Sequence, residues 1–182
     1  SLSYRIPYAK NFATSVSLFY SGYNAGNFSY MYDGDMNQDG INNDLIYIPK
    51  SKDELTFVDK NGFTAEQQAE AFWNYVNQDS YLKNHKGEYA KAYSARYPWV
   101  NQIDLKVVQD FIVKAGKTTN TLQVSLDIFN LGNLLKDTWG VTKVPVNSGR
   151  ILKYEGVTAD NVPTFSMYQS ENKLPSETFS YP

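Results

Sequence analysis

Between Asp33 and Asp44, four aspartates, three asparagines and two glycines fall within a dozen positions. Asp35, Asn37 and Asp39 alternate, Gly40 follows, and Asp44 closes the run. Oxygen ligands alternating ahead of a glycine form the first half of an EF-hand-type loop. Carboxylate and amide oxygens wrap a hard cation there, and glycine at the sixth position permits the sharp turn. In that register the carbonyl of Ile41 supplies the seventh-position ligand. The pattern breaks at the twelfth position, where Ile46 stands in place of a bidentate glutamate; Asp44, two residues earlier, is the substitute. The stretch 35–46 therefore reads as a candidate structural Ca²⁺ loop with Asp35, Asn37, Asp39, Ile41 and Asp44 as ligands. The competing reading is an Asx-rich turn whose side chains hydrogen-bond their own backbone.

Other reactive chemistry is scarce. The chain has no cysteine, hence no disulfide framework, thiolate metal site or thiol nucleophile. Its one histidine, His85, lies between Lys83 and Lys86, and a zinc site or a Ser-His-Asp triad would hang on that residue alone. A solvated or loop-packing histidine is the plainer account. Asp104, Asp110 and Asp127 invite an acid–base pair, but they alternate with Lys106 and Gln123 along strand-like runs, as cross-strand polar pairs would. The sequence thus argues against an enzyme. Phe72, Trp73 and Tyr75 would stack a sugar or peptide ligand, or else form the core stripe of a folded loop. A net charge of −2 gives no electrostatic case for a nucleic-acid partner.

The elements that must position these residues alternate with period two. Leu2, Tyr4, Ile6 and Tyr8 share one face; Ser1, Ser3 and Arg5 share the other. Phe12, Val16, Leu18 and Tyr20 oppose Ser15, Ser17 and Ser21, with Phe19 an exception. Ile103, Leu105, Val107, Phe111 and Val113 align, with Gln109 the misfit, and Leu122, Val124, Leu126 and Ile128 oppose Gln123, Ser125 and Asp127. A weaker pair spans 149–157 and 162–169. The links 9–11, 116–119 and 158–161 are hairpin-sized, whereas 25–98 and 132–148 are long. Within the first long link, Thr64 and Gln67 occupy capping-box positions ahead of a helix expected over 65–77. A second short helix is expected over 87–95. The segment 25–98 holds eleven acidic and seven basic residues, the acidic part of the chain. No apolar run approaches the roughly 20 residues of a membrane-spanning helix, and no signal peptide opens the chain.

Aromatic residues make up 15% of the chain, led by 15 tyrosines, while the mean hydropathy is −0.49. That combination, with short turns at one end and long loops at the other, is the layout of an outer-membrane β-barrel. An all-β sandwich with one large insertion is the alternative. Three stretches sharpen the choice: "GDMNQDGINNDLIYIP", "YLKNHKGEYAKAYSARYPWVNQIDLKVVQDF" and "NTLQVSLDIFNLGNLL…WG". Together, and in this order over nearly the whole chain, they resemble the C-terminal barrel region of Bacteroidetes-type TonB-dependent receptors, which carry a carboxypeptidase-regulatory-like domain.

The resemblance implies a mainly β fold. About six antiparallel strands of a transmembrane barrel would make up residues 1–182, with 25–98 as a long, partly helical extracellular loop. It further implies location in the outer membrane and uptake of an unspecified small-molecule, peptide or glycan nutrient. The partners would be lipid, the plug and remaining strands of the receptor, and TonB through an N-terminal part not seen in this sequence. The opening inside a strand at Ser1 and the close at "ETFSYP" read as those of a fragment lacking its last strand. The apolar strand faces would meet lipid, the polar faces would line the lumen, and Trp99 and Trp139 would lie in an interfacial aromatic belt. The runner-up is a soluble, surface-displayed β-domain that binds rather than transports, with a calcium-stabilised loop.

Overall fold

The computed structural model describes residues 1–182. In chain order its strands are β1 (Leu2–Tyr8), β2 (Phe12–Asn24), β3 (Asn27–Phe28), β4 (Tyr32–Asp33), β5 (Thr56–Phe57), β6 (Ala95–Arg96), β7 (Trp99–Ala115), β8 (Thr118–Ile128), β9 (Val144–Pro145), β10 (Leu152–Val157), β11 (Pro163–Met167) and β12 (Phe179–Ser180). One α-helix, α1 (Ala65–Gln78), lies between β5 and β6. The chain is mainly β, and no helix is long and apolar enough to cross a membrane, which says nothing of its strands. It divides into two compact units: Ser1–Ala25 with Pro98–Thr142, and Gly26–Tyr97 with Lys143–Pro182.

The first unit is an antiparallel sheet in the order β1-β2-β7-β8. Strands β2 and β7 stay in register from Phe12↔Phe111 to Asn24↔Trp99, although more than seventy residues separate them in sequence. The turn at Ala9–Asn11 is tight because Ala9 and Lys10 both adopt positive φ, and Gly116 does the same between β7 and β8. The sheet does not close on itself: β1 and β8 are its two edges.

The second unit has its own core. Phe28, Tyr30, Tyr32, Ile46, Ile48, Phe72, Tyr75, Leu82, Ile151, Leu152, Phe165 and Met167 pack together, drawn from both stretches of chain that build the unit. The helix forms where the capping box predicts. The Thr64 hydroxyl accepts the Gln67 N–H at 3.2 Å, and the Gln67 side chain accepts the Thr64 N–H at 2.9 Å. Gln68 is wholly buried on that helix. It donates to the Val58 carbonyl at 2.7 Å and accepts the Met167 N–H at 2.8 Å, so no polar atom is stranded.

Two sequence expectations fail here. The weaker pair does form as the antiparallel hairpin β10–β11, but in the second unit, flanked by parallel contacts with β4 and β5. The long sheet therefore has four strands where six were expected. On β11, consecutive residues Thr164 to Met167 are all buried, so both faces are covered and alternation there carried no exposed side. The expected helix over 87–95 is absent. Residues 87–90 run extended beside 46–48, where Ile48 N–H donates to Glu88 and Ala90 N–H to Ile46; only a single 3₁₀ turn, Leu82–Asn84, precedes them.

Candidate functional site

Register turns the period-two runs into rows. One face of the first unit carries Leu2, Leu18, Leu105 and Ile128 in a row, then Tyr4, Val16, Val107 and Leu126, then Tyr8, Phe12, Phe111 and Leu122. This apolar face is exposed: Leu2 is 70% exposed, Leu122 66% and Leu126 59%. On the polar face Asp110 is only 5% exposed, while Arg5, Gln123 and Ser125 are open to solvent as well. There Arg5 donates to Asp110 at 2.8 Å, Gln123 donates to the same carboxylate at 2.7 Å, and Lys106 pairs with Asp127 at 3.0 Å. A sheet in water covers its apolar face rather than leaving it open.

The Thr14–Gln109 row that interrupts the apolar face is internally satisfied. The Gln109 carbonyl oxygen accepts from Tyr8 at 2.9 Å and from Thr14 at 2.7 Å, while its amide donates to the Ala13 and Asp110 carbonyls. Aromatic rings mark both ends of the face. Tyr8 stacks on Phe12 at 5.8 Å and Phe12 meets Phe111 edge-on at 5.7 Å, while Tyr20 and Trp99 stand exposed at the other end. From Phe111 to Trp99 the strand advances about 40 Å, which a tilt near 45° reduces to roughly 29 Å between aromatic rows. The hydrocarbon band of an outer-membrane barrel is about 25 Å tall.

The acidic loop folds around its own backbone. Asp35 accepts the Gly40 N–H at 2.7 Å and the Asp39 N–H at 3.2 Å, Asn37 accepts the Asp39 N–H at 2.9 Å, and Asp39 accepts the Ile41 N–H at 2.8 Å. Asp44 reaches back to the N–H groups of Met36 and Asn37 at 2.7 and 3.2 Å. The five expected ligands thus share one closed turn, and its donors are all oxygens, the chemistry a hard cation takes. No three Asp, Glu, His or Cys side chains anywhere in the molecule stand close enough together to grip an ion. The exposed loop offers Asp35 and Asp39 as capping groups in the arrangement described.

The remaining candidates separate. Phe72 and Tyr75 lie in the core, closed to any ligand, which corrects the idea of a three-ring stacking platform. Only Trp73 reaches the surface, where the Lys86 ammonium sits 4.1 Å over its ring. His85 stacks on Tyr81 at 4.2 Å, and its Nδ1 lies 2.8 Å from the Tyr81 carbonyl. Asp104 accepts the Asn130 N–H at 2.7 Å, so it caps the turn after β8 and stands apart from Asp110 and Asp127.

Sequence reasoning missed Asp79 altogether. Almost fully buried just past α1, it accepts Tyr30 and Thr178 hydroxyls at 2.8 and 2.7 Å and the Tyr81 and Leu82 N–H groups at 2.8 Å each. Its partner Thr178 lies 99 residues away, and no local pattern announces such a bond. A small cleft of about 230 Å³ was equally invisible. Tyr32, Phe165, Met36, Leu55, Tyr47, Tyr89 and Glu54 line it, from four separate stretches of chain.

Neither a protein-family model, nor a curated protein, nor a solved structure matches this chain.

Proposed function

We propose that the chain is part of an outer-membrane, TonB-dependent nutrient-uptake receptor, its long sheet a section of barrel wall and its second unit an extracellular loop domain. The observation that carries this reading is the uncovered apolar face of the β1-β2-β7-β8 sheet. An exposed apolar face larger than a few hundred Å² marks a partner or a membrane, and aromatic rows at both ends favour a membrane. The polar face, with its Arg5–Asp110–Gln123 network, suits a hydrated lumen. The segment Gly26–Tyr97 joins the neighbouring strands β2 and β7, which is where a barrel carries its loops. Calcium, if taken up, would be held by oxygens of Asp35, Asn37, Asp39 and Asp44 with the Ile41 carbonyl, and would brace that loop without entering transport chemistry.

The test is charge on adjacent residues of one strand in the intact receptor. Val124→Arg, on the apolar face, should cost about 2–4 kcal/mol near mid-membrane. Ser125→Arg, on the polar face, should be much milder. Equal losses in folding yield or urea midpoint would sink the assignment of faces.

A further inference from the structure

The cleft of about 230 Å³ in the second unit has the chemistry of a binding site, independent of whether the first unit meets lipid. Its floor is the stacked pair Tyr32 and Phe165, ring centroids 5.5 Å apart. Tyr47 and Tyr89 stand at one side, edge to face at 5.4 Å, and Tyr89 is 67% exposed. Both rings are held in place from behind. Tyr47 and Tyr89 face each other in a backbone bridge, Ala90 N–H donates to Ile46 at 2.8 Å, and Tyr47 N–H donates to the Tyr32 hydroxyl at 3.2 Å. The Met36 rim is fixed by the bond from its N–H to Asp44. A polarizable thioether beside preset aromatic rings makes an adaptable wall for a flat group.

One charged side chain lines this cleft, Glu54. It accepts hydrogen bonds from the Lys50 N–H and, at 2.8 Å, from the Tyr47 hydroxyl. Lys52 pairs with Glu70 at 3.2 Å and Lys60 with Glu155 at 3.0 Å; Lys50, its stem against Gly87, acts on Glu54 chiefly through its N–H and only to a lesser degree through its charge. Glu54 forms no ion pair; each of its oxygens already accepts one hydrogen bond and keeps a second lone pair for a donor entering from solvent.

We propose that this cleft binds a guanidinium-bearing group, an arginine side chain of a peptide or a free guanidino compound, stacked on the Tyr47–Tyr89 pair with its edge donating to Glu54. Three features favour it over other ligands. Aromatic faces attract planar cations, and arginine most often among side chains. A carboxylate takes a guanidinium through two parallel hydrogen bonds. The volume lies below the roughly 300–1,000 Å³ of sites for drug-sized molecules, so it fits one side chain and not a large ligand. An anionic ligand would meet the carboxylate and be turned away.

The test compares N-acetyl-arginine amide with N-acetyl-citrulline amide, its neutral isostere, titrated against the detergent-solubilised full chain and followed by tyrosine fluorescence. The arginine probe should bind at least fivefold more tightly, and Glu54→Gln should bring the ratio close to one. Tyr89→Ala, an exposed position outside the core, should weaken both probes several-fold while thermal unfolding stays unchanged. A Gly-Arg-Gly peptide separates the sources: tighter binding than the free probe assigns the site to peptide, equal binding to the guanidino group itself. Equal affinity of the arginine and citrulline probes, a ratio that survives Glu54→Gln, or no saturable binding of either probe overturns the proposal.

Discussion

At the scale of single residues, the second unit depends on buried oxygen atoms. Asp79 gathers two hydroxyls and two N–H groups on one carboxylate, tying the end of α1 to Tyr30 and to the segment around Thr178. Asp79→Ala leaves the Tyr81 and Leu82 N–H groups without acceptors in the core and should cost about 2–4 kcal/mol. Asp79→Asn keeps one oxygen for those N–H groups and should lose distinctly less; chemical denaturation of the two variants checks the order. The tyrosines set a pH limit. Burial pushes the Tyr32 hydroxyl up to about 12, and burial likewise raises Tyr30 and Tyr75. Folding therefore favours the protonated phenols: this stability is complete below pH about 10, the unfolded value, and drains away as pH climbs through the folded value. Near-ultraviolet circular dichroism should hold until about pH 10 and collapse toward 12, together with late-ionising tyrosinate absorbance. Full ionisation near pH 10 with the fold intact would contradict this.

Elements differ in how openly the sequence announces them. Helix α1 was legible to within a residue, because Thr64 and Gln67 are a local signal and Ala69, Phe72, Trp73 and Val76 recur at helical spacing. The four long strands were legible too, since alternation on an amphipathic sheet is a local property. Register was not: Thr14 opposite Gln109 explains why a glutamine sits on the apolar face, yet that pairing joins residues 95 apart. Strands β4 and β5, two residues each, exist only because β10 and β11 offer them an edge, and no propensity marks them. The acidic turn lies between these cases. Its Asx bonds span at most nine positions and follow from residue type, but the same side chains serve a bare turn and a calcium loop. Without the bidentate glutamate, affinity should fall in the range of about 10⁻⁴–10⁻³ M. Asp39→Ala should then hasten proteolysis of 33–44 only when calcium is present. Protease sensitivity of the parent chain that calcium does not alter would leave the turn as a purely hydrogen-bonded one.

For the whole molecule, the membrane reading makes a topological demand. The second unit should face the cell exterior, and the turns at Ala9–Asn11 and Gly116 the periplasm. In the intact receptor on whole cells, Asn61→Cys should react with an impermeant maleimide, whereas Lys117→Cys should stay silent until the outer membrane is opened. The reverse order of labelling would invert the topology. Local patterning located the exposed apolar face but missed that residues 143–182 belong with 26–97. Ile151, Leu152, Phe165 and Met167 complete a core begun by Phe28, Tyr30 and Ile46, and long-range packing of that kind leaves no periodic trace.

That divided core has a consequence for inheritance. Its aromatic and aliphatic residues are encoded in two blocks, with the codons for β7 and β8 between them. A recombination event carrying only 26–97 into another gene would deliver Phe28, Tyr32 and Phe57 without Phe179 and Phe165, the residues they lie against. The Gln68 carbonyl oxygen would also lack the Met167 N–H that it accepts. The two blocks must therefore travel together or drift together, so exchange of this domain is constrained to segments that include the intervening hairpin.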